Sequence, residues 1–392
     1  MEGKVIIQCG IQIEKEYWFV AGNTNGLFKK NLLTDELDFI GFFPNEEKTQ
    51  FRAYTDIKRV ENKLIFTPCY AKRIAIYDLE EKKFSNIILP DFKGGVNQYL
   101  KSVKYKDCVY FIPFSASFFI KYSVTQGDIK KLEEWNTLKK SYSEQVKSNL
   151  IIETIYTDNN NIYMFMSNRS YAILLNMDTD QFQVKSLDIP SDEKICCVNG
   201  FDKSIWIITD RNRVYKWDYV NDKIVQIVDL NQYIKSLEYN AHNIYVTKKY
   251  IYFINVFKKD IKTFDYTNNE FFTIKMNKYV QDKSSNNASF YYYYDIQMIE
   301  DDKLILFSFY EGKYITVRGK QVTKSDDRFS LTEEYLGKCF SDNCFYEGHI
   351  LGKFSPSLLE EIESIISQSK FKYDDKKNIG KVVYNTLIKM EM

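Results

Sequence analysis

Histidine is almost missing from this chain of 392 residues, which has two, His242 and His349. A repeated histidine general base, or a metal centre built from several imidazoles, is therefore excluded. Proline (6) and glycine (15) are also sparse, which argues against a disordered or low-complexity polymer. There is no glycine-rich phosphate loop and no strand–turn–helix nucleophile elbow. No run of about 18 apolar residues occurs, so no transmembrane helix is expected. The segment Met1 to Cys9 has too short an apolar part and no small-residue cleavage site, so it is not expected to be a signal peptide. Net charge is nearly absent as well, with 54 Lys and Arg against 53 Asp and Glu. No global field steers the chain toward nucleic acid or an anionic membrane, and neither is an expected partner. The seven cysteines are odd in number and irregularly spaced, which points to free thiols in a reducing cytoplasm.

Aromatics are abundant instead: 31 Tyr and 29 Phe within a hydrophobic content of 44%, a composition that favours β structure. The stretch Arg73-Ile74-Ala75-Ile76-Tyr77-Asp78 reads as a strand ending in an aromatic-Asp step, followed by a polar turn and an apolar restart at Phe84. Near-copies stand at Val214–Asp218 and Ile261–Asp265. A strongly apolar strand, here termed strand b, precedes each copy. Seven such strands recur: Tyr17–Val20, Leu64–Phe66, Val109–Ile112, Ile162–Phe165, Ile205–Ile208, Ile251–Ile254 and Leu304–Phe307. The polar residue closing the following strand c falls at Asn31, Asp78, Ser123, Asn176, Asp218 and Asp265, with Arg318 near the seventh. Neighbouring markers lie 42 to 53 residues apart. Four short strands in such a period are one blade of a β-propeller. A short Asp, Asn or Ser side chain suits the position because it can bond the backbone of the turn it opens.

The aromatic-Asp ending, about five polar residues and a large apolar residue resemble the c–d hairpin of kelch-type β-propellers over residues 1–325. Strand b carries no Gly-Gly pair, so the resemblance is to a divergent, kelch-like member. It implies an all-β fold of seven blades, or six if the seventh copy is not one. The first copy starts at its own strand a, Lys4 to Ile11, so no spare N-terminal strand is expected for the last blade, and closure is left to side-chain packing between first and last blades or to a strand from the C-terminal region. Long connections at Lys93–Leu100, Glu133–Asn149 and Met276–Ser289 are the excursions where binding function resides, and Trp135–Lys140 is expected to form a short helix. Residues 326–392 change character: Ser330-Leu331-Thr332-Glu333 is a capping box, and Ser355-Pro356 opens a helix with Leu358, Leu359, Ile362, Ile365 and Ile366 on one face. A further helix is expected over Ile379 to Met390. This extension is expected to pack on the propeller or to dock a protein partner.

No catalytic set emerges, and no cofactor is expected. Cys339, Cys344 and His349 have donor types suited to zinc, but no fourth ligand is evident; no metal site is assigned. Adjacent Cys196 and Cys197 in a strand point to opposite faces. The b–c loops, which share one propeller face with the d–a loops, carry Lys72, Arg73, Arg169, Arg211, Arg213, Lys258, Lys259 and Lys313. The c–d turns carry Asp35, Glu36, Glu80, Glu81, Asp178, Asp180, Asp222 and Glu270. A basic face with aromatic neighbours Tyr70 and Tyr310 would suit an anionic small molecule, a glycan or an acidic peptide. The same charges also serve simply as solvated turn residues. Phe290–Tyr294 enters the strand a of blade seven, where alternation makes core filling the expected role. The candidate ligand set is Arg73, Arg169, Arg211, Arg213, Lys258, Lys313, Tyr70 and Tyr310, in a non-enzymatic binding or scaffold propeller. A carbohydrate-active lyase or hydrolase using Asp210 and Glu311, and a purely structural interaction module, are the alternatives. The Lys-, Asn-, Ile- and Tyr-rich composition suggests an AT-rich bacterial source.

Overall fold

A computed structural model of the chain describes residues 7–21, 25–34, 36–46, 52–90, 98–114, 116–146, 152–166, 170–233, 243–255, 258–276, 293–300, 302–308 and 314–324. The fold is all-β, a seven-bladed β-propeller of four-stranded antiparallel sheets, each made of four consecutive strands. Blade 1 comprises β1 (Ile7–Ile13), β2 (Glu16–Ala21), β3 (Gly26–Asn31) and β4 (Leu37–Phe42). Blade 2 comprises β5 (Tyr54–Val60), β6 (Lys63–Pro68), β7 (Arg73–Asp78) and β8 (Lys83–Ile88). Blade 3 is β9 (Tyr99–Tyr105), β10 (Cys108–Pro113), β11 (Phe119–Ser123) and β12 (Asp128–Leu132), followed by α1 (Glu134–Val146). Blade 4 is β13 (Ile152–Thr157), β14 (Asn161–Met166), β15 (Tyr171–Asn176) and β16 (Gln181–Ser186). Blade 5 is β17 (Ile195–Phe201), β18 (Ser204–Thr209), β19 (Arg213–Asp218) and β20 (Lys223–Asp229). Blade 6 is β21 (Asn243–Val246), β22 (Tyr250–Ile254), β23 (Ile261–Asp265) and β24 (Glu270–Ile274). Blade 7 is β25 (Tyr293–Glu300), β26 (Lys303–Ser308), β27 (Tyr314–Arg318) and β28 (Gln321–Lys324). Because every sheet is consecutive, no blade borrows a strand among the described residues.

Blades 1 and 2 belong to one compact unit, and the blades from Lys101 onward to a second. In each unit the core lies between successive blades. In the first, Trp18, Val20 and Leu27 of blade 1 meet Tyr54, Ile57, Leu64, Phe66 and Tyr77 of blade 2. In the second, β18 shows why strand b is apolar at every position. Ile205 and Ile207 face Tyr163 and Phe165 of blade 4, whereas Trp206 and Ile208 face Ile251 and Phe253 of blade 6. A strand covered on both sides reads as a continuous apolar run, and each buried Ile or Phe contributes about 1.5–3 kcal/mol. Strand d is the outer one; β8 alternates between exposed and half-buried residues.

The c–d turns repeat one local device. Asn31, Asp78, Asn176, Asp218 and Asp265 each accept two backbone N–H bonds from the residues two and three positions on. Ser123 accepts from Gln126 N–H at 3.3 Å. Four positions after the cap the backbone turns left-handed, at Lys82, Gly127, Asp180, Asp222 and Asn269. Among these Gly127 alone lacks the side chain that strains a positive φ. The helix expected near Trp135 is present as α1; Trp135 is buried and Leu138 packs beside it on blades 3 and 4. The expected helices after Ser330, the trio Cys339, Cys344 and His349, both histidines, Phe290–Tyr292, Glu311, and Arg169, Tyr310 and Lys313 of the candidate ligand set all lie outside the described residues.

Candidate functional site

The b–c and d–a loops of one blade lie together at the ends of strands b, c and d, and blade 5 shows what they build. Glu193, in the loop before β17, has a fully buried side chain. Thr209, the last residue of β18, donates its hydroxyl to Glu193 Oε2 at 2.6 Å. Tyr215 donates its phenol to Oε1 at 3.0 Å. Arg213, the first residue of β19, donates to the same Oε1 and also to Asp229 at 3.2 Å. Hydrogen bonds to Glu193 and Asp229 push Arg213 above its already high ordinary pKa. Burial, reinforced by the Glu193 carboxylate, pushes the Tyr215 phenol up to about 12. Arg213 is thus engaged inside its blade. Arg211 stands 3.5 Å from Asp192 with both side chains more than half exposed. Lys258 is exposed, its backbone N–H bonded to Asn255 O at 2.9 Å. Asp210 is held by the Lys194 N–H at 2.9 Å.

Sorting b–c loops by charge missed the d–a loops, which bring Glu46, Asp192 and Glu193 to the same ends of the blades. Nothing local in the sequence marks these carboxylates. Their side-chain and backbone partners are 16 or more residues away.

Blade 2, within the first unit, holds the other described members, Arg73 and Tyr70. Arg73 opens β7 as Arg213 opens β19. Its Nη1 donates to Asn86 Oδ1 at 3.2 Å, but its buried Nε–H has no acceptor among the described residues. Glu46 Oε1 accepts from Lys72 N–H at 2.9 Å, while Oε2 is buried without a donor within hydrogen-bond distance among the described residues. Burial raises the Glu46 carboxyl, against the pull of Lys72 and Arg73. Tyr54 is fully buried and its hydroxyl has no hydrogen-bond partner among the described residues. Burial pushes this phenol well above its ordinary value, the Glu46 charge adding to the shift and Arg73 opposing it. These three groups therefore sense one another. Arg52 Nε and Asn25 Oδ1 are buried and likewise without a partner among the described residues, Asn25 being tied to Phe43 and the Phe43 ring lying 4.4 Å from the Tyr54 ring. Asn45 and Arg52 both take left-handed backbone angles, which store strain in non-glycine residues. Tyr70 is half-buried, with its N–H bonded to Arg52 O at 3.3 Å. Unsatisfied buried polar atoms are uncommon in folded proteins and ask for an explanation.

Among the described residues no group of three or more His, Cys, Asp and Glu side chains is placed to hold a metal ion. No described helix is long and apolar enough to cross a membrane.

No protein-family model and no curated protein sequence matches the chain. Solved structures do. YCF48 from Cyanidioschyzon merolae matches with a TM-score of 0.56 and 10% identity, over 78% of this chain and 94% of that one. The β-propeller domain of Cps50 from Myceliophteria thermophila matches with a TM-score of 0.51 and 9% identity, over 83% and 97%. PorZ, a surface component of the type-IX secretion system of Porphyromonas gingivalis, matches with a TM-score of 0.52 and 10% identity. That match covers 84% of this chain but spans only 38% of PorZ. At such identities the likeness carries the fold alone.

Proposed function

We propose that the chain is a non-catalytic binding propeller that holds an anionic small molecule through the b–c and d–a loops of blade 2. The supporting observation is the buried group of Arg73, Glu46 and Tyr54, each with a polar atom lacking a partner among the described residues. An arginine with a spare buried N–H gains from a ligand oxygen what it otherwise forgoes, since an unmade buried hydrogen bond costs about 1–3 kcal/mol. A catalytic role has less behind it: Asp210, one half of the carboxylate pair considered, is committed to the Lys194 backbone.

Arg211 and Lys258 are exposed on blades 5 and 6, in the other compact unit, and are not assigned to this site. We read residues 326–392 as the segment that docks a protein partner, because their apolar residues recur at helical spacing. Free thiols at Cys9, Cys69, Cys108, Cys196 and Cys197 suit a reducing, cytoplasmic setting, and the c–d hairpins suit the kelch-like subtype.

The test is thermal unfolding of the full chain with acetate, inorganic phosphate, glucuronate and an acidic peptide. A ligand at 100 times its Kd stabilises by about 2.7 kcal/mol. Stabilisation by anions that is lost in Arg73→Gln and kept in Arg211→Gln supports a site at blade 2. Stabilisation lost only in Arg211→Gln, or by no anion at all, overturns it. In the latter case a purely structural interaction module is left.

A further inference from the structure

Blades 2 and 5 carry the same arginine at the same strand position and each receives a glutamate from its d–a loop, yet one arrangement is saturated and the other is not. Strand c runs Arg213-Val214-Tyr215-Lys216-Trp217-Asp218 in blade 5 and Arg73-Ile74-Ala75-Ile76-Tyr77-Asp78 in blade 2. Ala75 therefore stands where Tyr215 stands. Strand b ends in Thr209 in blade 5, paired with Ile195, and in Pro68 in blade 2, paired with Tyr54. Both hydroxyls that donate to Glu193 in blade 5 are thus replaced in blade 2 by residues with no donor.

Resting on the reading that blade 2 binds an anion, we propose that its ligand is a polyhydroxylated monocarboxylate of the hexuronate class, whose hydroxyls take the place of the Thr209 and Tyr215 hydroxyls against Glu46. Four features support the assignment. Glu46 Oε2 and Asn25 Oδ1 are acceptors that require donors. Arg73 Nε–H and Arg52 Nε–H are donors that require an acceptor, and a guanidinium bonds a negatively charged oxygen most strongly. A ligand must therefore bring both kinds of group, which simple anions such as acetate or phosphate do not do at neutral pH in equal measure. The Glu46 carboxylate shares the site and repels a second negative charge, so a monoanion is preferred to a phosphate dianion. Tyr54 OH, which can donate or accept, is buried and has no partner among the described residues, and can serve either end of the ligand.

The experiment is isothermal titration calorimetry of the full chain with glucuronate, glucose, acetate, inorganic phosphate and alanine. Glucuronate is expected to bind at least tenfold more tightly than each of the others. Glu46→Gln, which keeps the shape but turns one acceptor into a donor and removes a like charge, is expected to weaken glucuronate at least tenfold and to bind acetate no more weakly than before. Arg73→Gln weakens both. Pro68→Thr supplies the hydroxyl that blade 5 has and is expected to weaken glucuronate while raising Tm. Equal binding of acetate or phosphate and glucuronate, with Glu46→Gln without effect, overturns the hydroxy-acid assignment while leaving an anion site in place. Alanine binding more tightly than glucuronate overturns it in favour of an ammonium donor. No binding by any probe overturns the assignment and the anion site together. A folded Pro68→Thr protein with raised Tm and unchanged glucuronate affinity removes the comparison with blade 5 as its basis.

Discussion

Replacing Glu193 with alanine tests whether the blade 5 cluster is structural. The side chain is fully buried and three side chains donate to it. Its removal leaves the hydroxyls of Thr209 and Tyr215, both buried, without an acceptor, at about 1–3 kcal/mol each. Arg213 adds less, because it is 36% exposed, keeps Asp229 at 3.2 Å, and can turn to water. The expected total is about 4 kcal/mol, within the range of roughly 3–5 kcal/mol for breaking a buried pair by deleting one partner. For a cooperative unit of about 150–250 residues this lowers Tm by roughly 8–16 °C. Glu193→Gln retains an acceptor and is expected to cost about 1–2 kcal/mol. The internal control is Arg211→Ala, whose pairing with Asp192 at 3.5 Å is exposed and is worth at most about 0.5–1 kcal/mol. Scanning calorimetry on the three variants provides the comparison. A Glu193→Ala protein whose Tm falls by no more than that of Arg211→Ala would refute the assignment of a structural cluster.

Three further outcomes follow from the geometry. Hydrogen bonds from Lys106 and Tyr105, each 2.7 Å long, hold the Asp178 carboxyl down at about 2 against an ordinary 3.8. The unfolded chain therefore binds the proton first, so the stabilisation is full above pH about 4–5 and is lost as pH falls toward 2; Asp178→Asn should flatten this acid limb in a pH series of urea midpoints. Burial pushes the Cys69 and Cys108 thiols up to about 11, and Cys197, also buried, goes well above its ordinary value. Of the described cysteines, half-buried Cys196 should alkylate first with iodoacetamide at pH 8, as peptide mass mapping reads directly; earlier labelling of Cys197 would contradict the packing of β17. A Cβ at Gly200 would lie 1.6 Å from the Tyr156 ring. Gly200→Ala should thus cost about 1–3 kcal/mol by overpacking, and Tyr156→Leu in the same chain should recover part of it in a denaturation series.

The repeat was legible in the sequence because the interactions that create it are local or pervasive. Asn31, Asp78, Asn176, Asp218 and Asp265 bond backbone groups only two and three residues ahead, so spacing alone reveals them. Strand b is apolar throughout because both of its faces are covered, as Ile205 and Trp206 show by joining opposite clusters. Helix α1 was foreshadowed too, since Trp135 and Leu138 fall three apart and pack together.

The roles of the charged residues were not legible. Arg73 and Arg213 occupy the same place in nearly the same strand pattern, and by sequence they belong to one basic set. Tertiary structure separates them: Arg213 donates to a glutamate 20 residues upstream and to Asp229, while Arg73 keeps a buried N–H without an acceptor among the described residues. Blade count and turn chemistry depend on each residue's immediate neighbours and on whether water is excluded, which composition and period record. Which donor meets which acceptor depends on loops that converge only after the strands have paired and the blades have stacked, and a hydrogen bond is decided by tenths of an ångström that no spacing rule carries.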